Sequence, residues 1–183
     1  GLDCSGAMIA RSTFEDCAFR NCRFDEATFE RCRFAECTFV ECNLSLMRVP
    51  GTRFSDVVFE DCKLVGVDWT RADWPRIALR APLAFRSCIL TDTSFHGLQL
   101  PELVMEHCRA HEVDFRDGNF ARARFCFSEL TGSLFNRTDL SGADFTDATD
   151  YEIDLTANRV EDAVFSSLEA VRLLRHLGIR LVD

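Results

Sequence analysis

No apolar run in this chain of 183 residues reaches the length of a membrane span, so no membrane partner is expected. The ten cysteines include no C-x-x-C pair, which removes the usual zinc-finger and dithiol-redox spacings. One tyrosine and two tryptophans stand against seventeen phenylalanines, so one kind of buried niche is used again and again. Bases are also scarce. The 21 Lys and Arg face 30 Asp and Glu, a formal charge of −9 that argues against direct nucleic-acid binding. No signal-peptide pattern is visible. There is no nucleophile with a matched base, no phosphate-cradling glycine loop and no metal-ligand spacing, so the expectation is a protein without cofactor or metal that is not an enzyme.

What the chain does have is a beat of five. Phenylalanine recurs at 14, 19, 24, 29, 34 and 39 in "FEDCAFRNCRFDEATFERCRFAECTFVEC", a period that neither a helix nor an ordinary strand repeats. With the aromatic position as the centre of each unit, sixteen of the seventeen Phe occupy centres; Phe127 is the exception. Eight of the ten cysteines sit two residues before a centre, among them Cys17, Cys22, Cys32, Cys37, Cys42 and Cys62, and share that position with alanines such as Ala27 and Ala143. They follow the beat as small buried hydrophobes, and a reduced, cytoplasmic protein is expected.

Three of the four prolines fall one residue after a centre and six of the nine glycines two after, with both together in "VPGT" at 49–52. Proline followed by glycine at the middle of a turn is a type II signature. Each unit is therefore a short extended side followed by a corner, with one large and one small residue pointing inward: a solenoid. The beat slips by one residue at Ala81–Leu83, where a bulge that kinks the rod is expected.

Units such as "CRFDE", "TDLSG" and "ADFTD" resemble the A-(D/N)-L-x-x motif of pentapeptide repeat proteins. That resemblance implies an all-β solenoid, a right-handed quadrilateral parallel β-helix with one turn per 20 residues. At a spacing of 20, Cys22 stacks on Cys42 and Cys62. Phe14, Phe34, Phe54 and Trp74 form one core ladder, and Phe95, Phe115 and Phe135 another. The β-helix is expected over 1–165, nearly eight turns and on the order of 40 Å long at about 4.8 Å per turn.

Residues 166–183 change pattern and read as a helix and tail. Ser166 with Glu169 forms a capping-box signature and Gly178 is the stop. Ala170, Val171, Leu173, Leu174 and Leu177 share a helix face, and Ile179, Leu181 and Val182 add a second apolar segment. The segment caps the last turn; it is also more apolar than a cap requires, which points to a homodimer seam. Both can hold.

Charge is uneven along the chain. Residues 1–91 hold 13 acids and 12 bases; residues 92–183 hold 17 and 9. Most of the excess lies in 139–162, whose Asp139, Asp144, Asp147, Glu152 and Asp154 are the expected acidic binding face. Solvated surface is the plain alternative for these residues. "ECNLSLMRVPGTRF", "LVGVDWTRADWP", "FRSCILTDTSFHGLQL" and "YEIDLTANRVEDAVFSSLEAVRLLRHLGIRL" resemble the pentapeptide repeat proteins that protect type II topoisomerases from poisons. The albicidin-resistance branch is nearest, with the Qnr quinolone-resistance and microcin-immunity branches more distant. The resemblance implies a dimer that mimics DNA and binds DNA gyrase, or topoisomerase IV, conferring antibiotic resistance or self-immunity. It does not extend to projecting loops such as Qnr-type members carry. The alternative is a repeat scaffold that binds another basic protein through the acidic C-terminal half.

Four residues fit less simply. Asp150 and Asn158 fall on inward positions, and a local register break at "TDATDYE" is the preferred explanation for the buried carboxylate. His107 and His111 in "HCRAH" lie at outward positions around a corner, where zinc binding is a remote alternative.

Overall fold

In the computed structural model, residues 1–75 and 81–177 are described. They form a parallel β-solenoid of about eight turns, followed by one C-terminal helix. Successive turns pair in parallel at a spacing of 20: Phe14 with Phe34 and Phe54, Phe19 with Phe39 and Phe59, Ile9 with Phe29. The coil has four sides, numbered here by their inward residues. Side 1 carries Phe14, Phe34, Phe54 and Trp74; side 2 carries Phe19, Phe39, Phe59 and Phe85; side 3 carries Phe24, Leu44 and Leu64; side 4 carries Phe29, Val49 and Trp69. Side 2 holds the longest sheet, of five strands from Ala18–Arg20 to Val104–Glu106.

The core is built of stacked rings. On side 1 the Phe14, Phe34, Phe54 and Trp74 rings stack at 4.8, 5.6 and 5.9 Å between centroids. On side 4 Trp69, Phe95, Phe115 and Phe135 stack at 6.0, 5.6 and 5.0 Å, so the ladder starts one turn earlier than the sequence suggested. Rings on adjacent sides meet edge-on, as Phe19 and Phe24 do at 5.7 Å. Offset stacking along the axis and T-shaped contact across it are the two favoured aromatic geometries, and a square coil supplies both.

The small inward position is more than apolar filler. The Cys22 amide donates to Cys42 Sγ and the Cys42 amide to Cys62 Sγ, each at 3.4 Å. The Cys42 thiol donates in turn to the Phe19 carbonyl at 3.4 Å. Thr52, Ser128 and Ser133 repeat the pattern with oxygen, accepting from the amides of Cys32, Cys108 and Val113. A buried amide needs a partner, and a small thiol or hydroxyl provides one where alanine cannot. Hydrogen bonding to Cys62 and burial push the Cys42 thiol up, away from reactive thiolate. Asn158 plays the same part on side 1: its Oδ1 accepts from the Thr138 amide and its Nδ2 donates to the Phe135 carbonyl.

Most corners are made by residues in the left-handed region two positions after a centre. Gly6, Gly51 and Gly66 are there, but most corners are Asp, Glu or Arg at φ near +50 to +60°. Such residues accept a real backbone cost. What offsets it is that most corner amides donate to a neighbouring turn, as Glu36 does to Ser55 O at 2.9 Å.

At Ala81–Leu83 the structure differs from the expected one-residue bulge. Arg53 and Phe54 lie beside Asp73 and Trp74, 20 residues on, whereas Val57 and Phe59 pair with Leu83 and Phe85, 26 on. Six extra residues enter here. A five-residue beat registers six as one, which is why only a single residue was visible. Five of the residues at this break, 76–80, lie outside those described.

The other irregular point is the predicted break at "TDATDYE". Asp150 turns its backbone to φ +59° and Tyr151 fills the core in its place, with no net change of register: Glu129 still pairs with Thr149 and Asp139 with Arg159. The Asp150 carboxylate stays at the surface, 2.6 Å from Arg172. Tyr151 introduces a cost. Its hydroxyl is buried and meets no hydrogen-bond partner among the described residues, and burial, with Glu169 nearby, pushes the phenol up to about 12. Tyr151→Phe removes an unsatisfied polar atom and keeps the ring, so it is expected to raise stability by about 1–3 kcal/mol in urea denaturation. A lower midpoint would show that the hydroxyl is satisfied after all.

Candidate partner-binding end

The last turns and the helix gather the features that the sequence singled out. The helix is short: Ser167–Ala170 is α-helical and Val171–Leu177 continues as 3-10. Its capping box is not formed. Ser166 Oγ accepts from the Asp147 amide at 2.8 Å, and Glu169 Oε2 accepts from the Asp150 amide at 3.2 Å. Both side chains tie the helix to the coil beneath, because the last turn exposes amides that have no further turn to bond.

The five apolar residues assigned to one helix face are also divided. Leu173 is buried, and Ala170 packs against the core. Leu174 is half-buried, while Val171 and Leu177 are exposed. Ile179, Leu181 and Gly178 lie outside the described residues. Leu168, outside that predicted face, is 87% exposed, and Val164 joins it. The segment thus covers the last turn with one set of residues and leaves Val164, Leu168, Val171 and Leu177 facing outward.

The acidic residues do not share a face. Asp139 is on side 1, Asp144 on side 2, Asp147 at the edge between sides 2 and 3, Glu152 near the edge of sides 3 and 4, and Asp154 on side 4. This follows from length. A stretch of 24 residues exceeds one 20-residue turn and must pass all the way round. The result is a collar. Parts of it are neutralised locally: Arg159 lies 3.0 Å from Asp139 and Arg175 3.9 Å from Glu152. Asp144, Asp147, Asp154 and Asp162 make no ion pair among the described residues.

Several collar carboxylates also hold the backbone. Asp144 Oδ1 accepts from the amide and hydroxyl of Thr146, and Asp154 Oδ1 from those of Thr156. Partial burial works against the Asp144 carboxylate, but the Thr146 bonds, with Cys126 and Arg124 nearby, together hold the group below the ordinary range; the Thr156 bonds lower Asp154 directly. Groups with folded pKa depressed stabilise the fold above their unfolded value and lose that contribution as pH falls through the folded one. Below about pH 4 the C-terminal turns are therefore expected to lose stability progressively. Asp154→Ala should lower stability at neutral pH and make the acid decline shallower in pH-dependent urea titrations.

The outlying residues find ordinary partners. Phe127, the one Phe off the beat, stacks on His107 at 4.7 Å with the planes 4° apart. His111 Nε2 lies 3.2 Å from Glu129. Burial and the neighbouring Asp144 push the Cys126 thiol up, opposite to the activation a nucleophile needs. Among the described residues no three His, Cys, Asp or Glu gather as metal ligands, and no helix is long and apolar enough to cross a membrane.

Fold and surface together define a β-solenoid scaffold assembled from five-residue units, with its chemistry displayed on the outside. The chain belongs to the pentapeptide repeat family: the family model "Pentapeptide repeat region" matches residues 12–82 and 78–145. No curated protein matches the chain. Among solved structures it is similar to a trypsin-treated variant of QnrB1, described as a plasmid-mediated fluoroquinolone resistance protein, with 19% identity, a TM-score of 0.53, and 100% of this chain and 96% of that chain covered. Full-length QnrB1 gives 19% identity and a TM-score of 0.51, with 97% of this chain and 98% of that chain covered. At that identity the likeness is one of fold.

Proposed function

We propose that this protein is a homodimeric, DNA-mimicking ligand of a type II topoisomerase, DNA gyrase first, that protects the enzyme from a poison such as albicidin or a fluoroquinolone in the cytoplasm. The observation that carries this reading is the pairing of an acidic collar with an apolar tip at one end of a narrow rod. If the tips of two copies join, two collars meet at the centre of a rod twice as long. Its charge would be concentrated where a basic, duplex-shaped saddle is deepest. The mimicry is partial, since turns about 4.8 Å apart cannot reproduce a duplex that carries one charge per ~1.7 Å of axis. The QnrB1 resistance protein lends the reading a scaffold, and the four stretches quoted above lend it the albicidin-resistance branch. The role is that of an interaction protein, not a catalyst.

The test is gyrase supercoiling with purified protein, titrated with and without albicidin or a fluoroquinolone. Rescue of the poisoned enzyme, weakening as salt rises, is the expected result. No effect on either curve, together with capture of a different basic protein in pull-down, would assign the collar to another partner. Asp162→Asn is the clean variant for mapping it, because Asp144 and Asp154 also brace their own turns and Glu152 pairs with Arg175.

A further inference from the structure

The near-neutral N-terminal half conceals a segregation of charge. At the edges bounding side 2 the corner residues are Asp16, Glu36 and Asp56 on one side and Glu41 and Asp61 on the other. The edge between sides 4 and 1 is the reverse. Arg11, Arg31 and Arg71 occupy its corner column, Arg33 and Arg53 lie on the side 1 flank, and Arg48 on the side 4 flank. All six are exposed. Arg53 pairs with Asp73 at 2.6 Å and Arg71 with Asp68 at 3.2 Å; Arg11, Arg31, Arg33 and Arg48 make no ion pair among the described residues. Glu15, Glu26 and Glu30 are the nearby acids outside those two pairs, Glu26 lining a crevice with Arg48 and Arg71.

Arg33 and Arg53 are direct partners in the parallel sheet, so two like charges are held side by side, an arrangement that costs stability. The Arg31 side chain passes over Gly51, where an added Cβ would lie 3.3 Å from Arg31 Cγ. Arg31, Arg33 and Arg53 line one shallow crevice with Gly51 and Asp73. On the face of side 2 the coil alternates its charges: Glu60, Arg86, Glu106 and Arg124 are linked at 3.9, 3.8 and 2.5 Å. A surface serving solubility alone would follow that pattern.

We propose that the edge between sides 4 and 1, over the first four turns, binds the phosphate backbone of duplex DNA. The ridge is convex, with arginines on its crest and both flanks. Columns repeat about 4.8 Å along the axis, and residues 51 and 53 stand about 6.6 Å apart around the corner. Such a ridge enters a groove about 12 Å wide and reaches phosphates on either side of it. Guanidinium suits phosphate because it offers paired donors in one plane. The net charge of −9 does not forbid this, since the collar lies more than a Debye length of about 10 Å away and the opposite edge, between sides 2 and 3, is acidic at Glu41 and Asp61, which orients the duplex. The expectation of no direct nucleic-acid binding came from the sum of charges and not from their placement.

The test is fluorescence anisotropy of a labelled 20-base-pair duplex with the full chain and no topoisomerase, so its outcome is independent of the preceding proposal. Binding is expected at low salt, with affinity falling on a log–log slope of roughly −3 for three to four phosphate contacts. Arg31→Glu with Arg33→Glu is expected to weaken binding at least tenfold and flatten the slope by about 2. The urea midpoint should not fall, because these arginines make no ion pair to lose. Arg11→Glu with Arg48→Glu is the second variant, should the first be unstable. No binding at low salt with protein at ~100 μM, the weak end of non-specific affinities, overturns the proposal. So does binding indifferent to both variants. Polyglutamate competing as well as DNA also overturns it and assigns the edge to an acidic protein.

Discussion

Phe85→Ala is expected to destabilise the protein by about 3–5 kcal/mol, the range for removing a fully buried aromatic ring, and to split its unfolding in two. Phe85 is the first ring after the six-residue insertion. It stacks on Phe59 at 5.3 Å and meets Trp69 and Phe95 edge-on at 5.6 and 5.9 Å. In a solenoid each turn contacts only its neighbours, so cooperativity passes through every interface in series. The turn before Phe85 does not keep the 20-residue spacing, and Phe85, together with the stack of Trp69 on Phe95, joins the two halves across it. Urea denaturation followed by tryptophan fluorescence and by far-UV circular dichroism checks the claim. Both tryptophans, Trp69 and Trp74, lie before the junction, whereas dichroism reports the whole rod. The two curves should coincide for the parent protein and separate for Phe85→Ala. Phe127→Ala, at a half-exposed corner, should leave both within about 0.5 kcal/mol of the parent. Coincident curves for Phe85→Ala would mean that coupling runs through the backbone ladders and not the rings.

The same junction shows where sequence reasoning stops. A five-residue period exposes the inward residues, the Phe14 and Phe95 columns and the corner positions, because each obeys a steric demand repeated at every turn. It cannot separate an insertion of one residue from one of six, since both shift the beat equally. Nor does it reveal how charge is arranged around the coil. Counting along the chain finds an excess in 139–162, yet Asp139, Asp144, Asp147, Glu152 and Asp154 encircle the rod; counting also finds balance before residue 92, where Arg31 and Glu36 in fact face different edges. Ser166 and Glu169 match a capping box, but the coil's free Asp147 and Asp150 amides compete for the same side chains and win. The thiols of Cys22, Cys42 and Cys62 were legible as small and buried; their part in satisfying inner amides depends on contacts one turn away. Tyr151 for Asp150 was legible as a break but not as a substitution.

The apolar tip leads to the second large effect. Val171→Arg with Leu168→Arg is expected to convert a dimer into a monomer in light scattering, with little loss in the urea midpoint. Both side chains point away from the coil, Leu168 almost entirely, so charge there burdens only a surface that a second copy would cover. Leu173→Ala is the contrasting change. Leu173 is the buried residue of the segment, and its truncation should cost about 2–5 kcal/mol and loosen the cap on the last turn. If capping were the segment's whole purpose, Leu173→Ala would be damaging and the double arginine variant silent in every assay. If the tip is also a seam, the double variant should remain folded, run as a monomer and lose rescue of poisoned gyrase, because separating two collars halves the charge presented to one saddle. A double variant that stays dimeric moves the interface elsewhere on the rod, and the collars would then no longer meet.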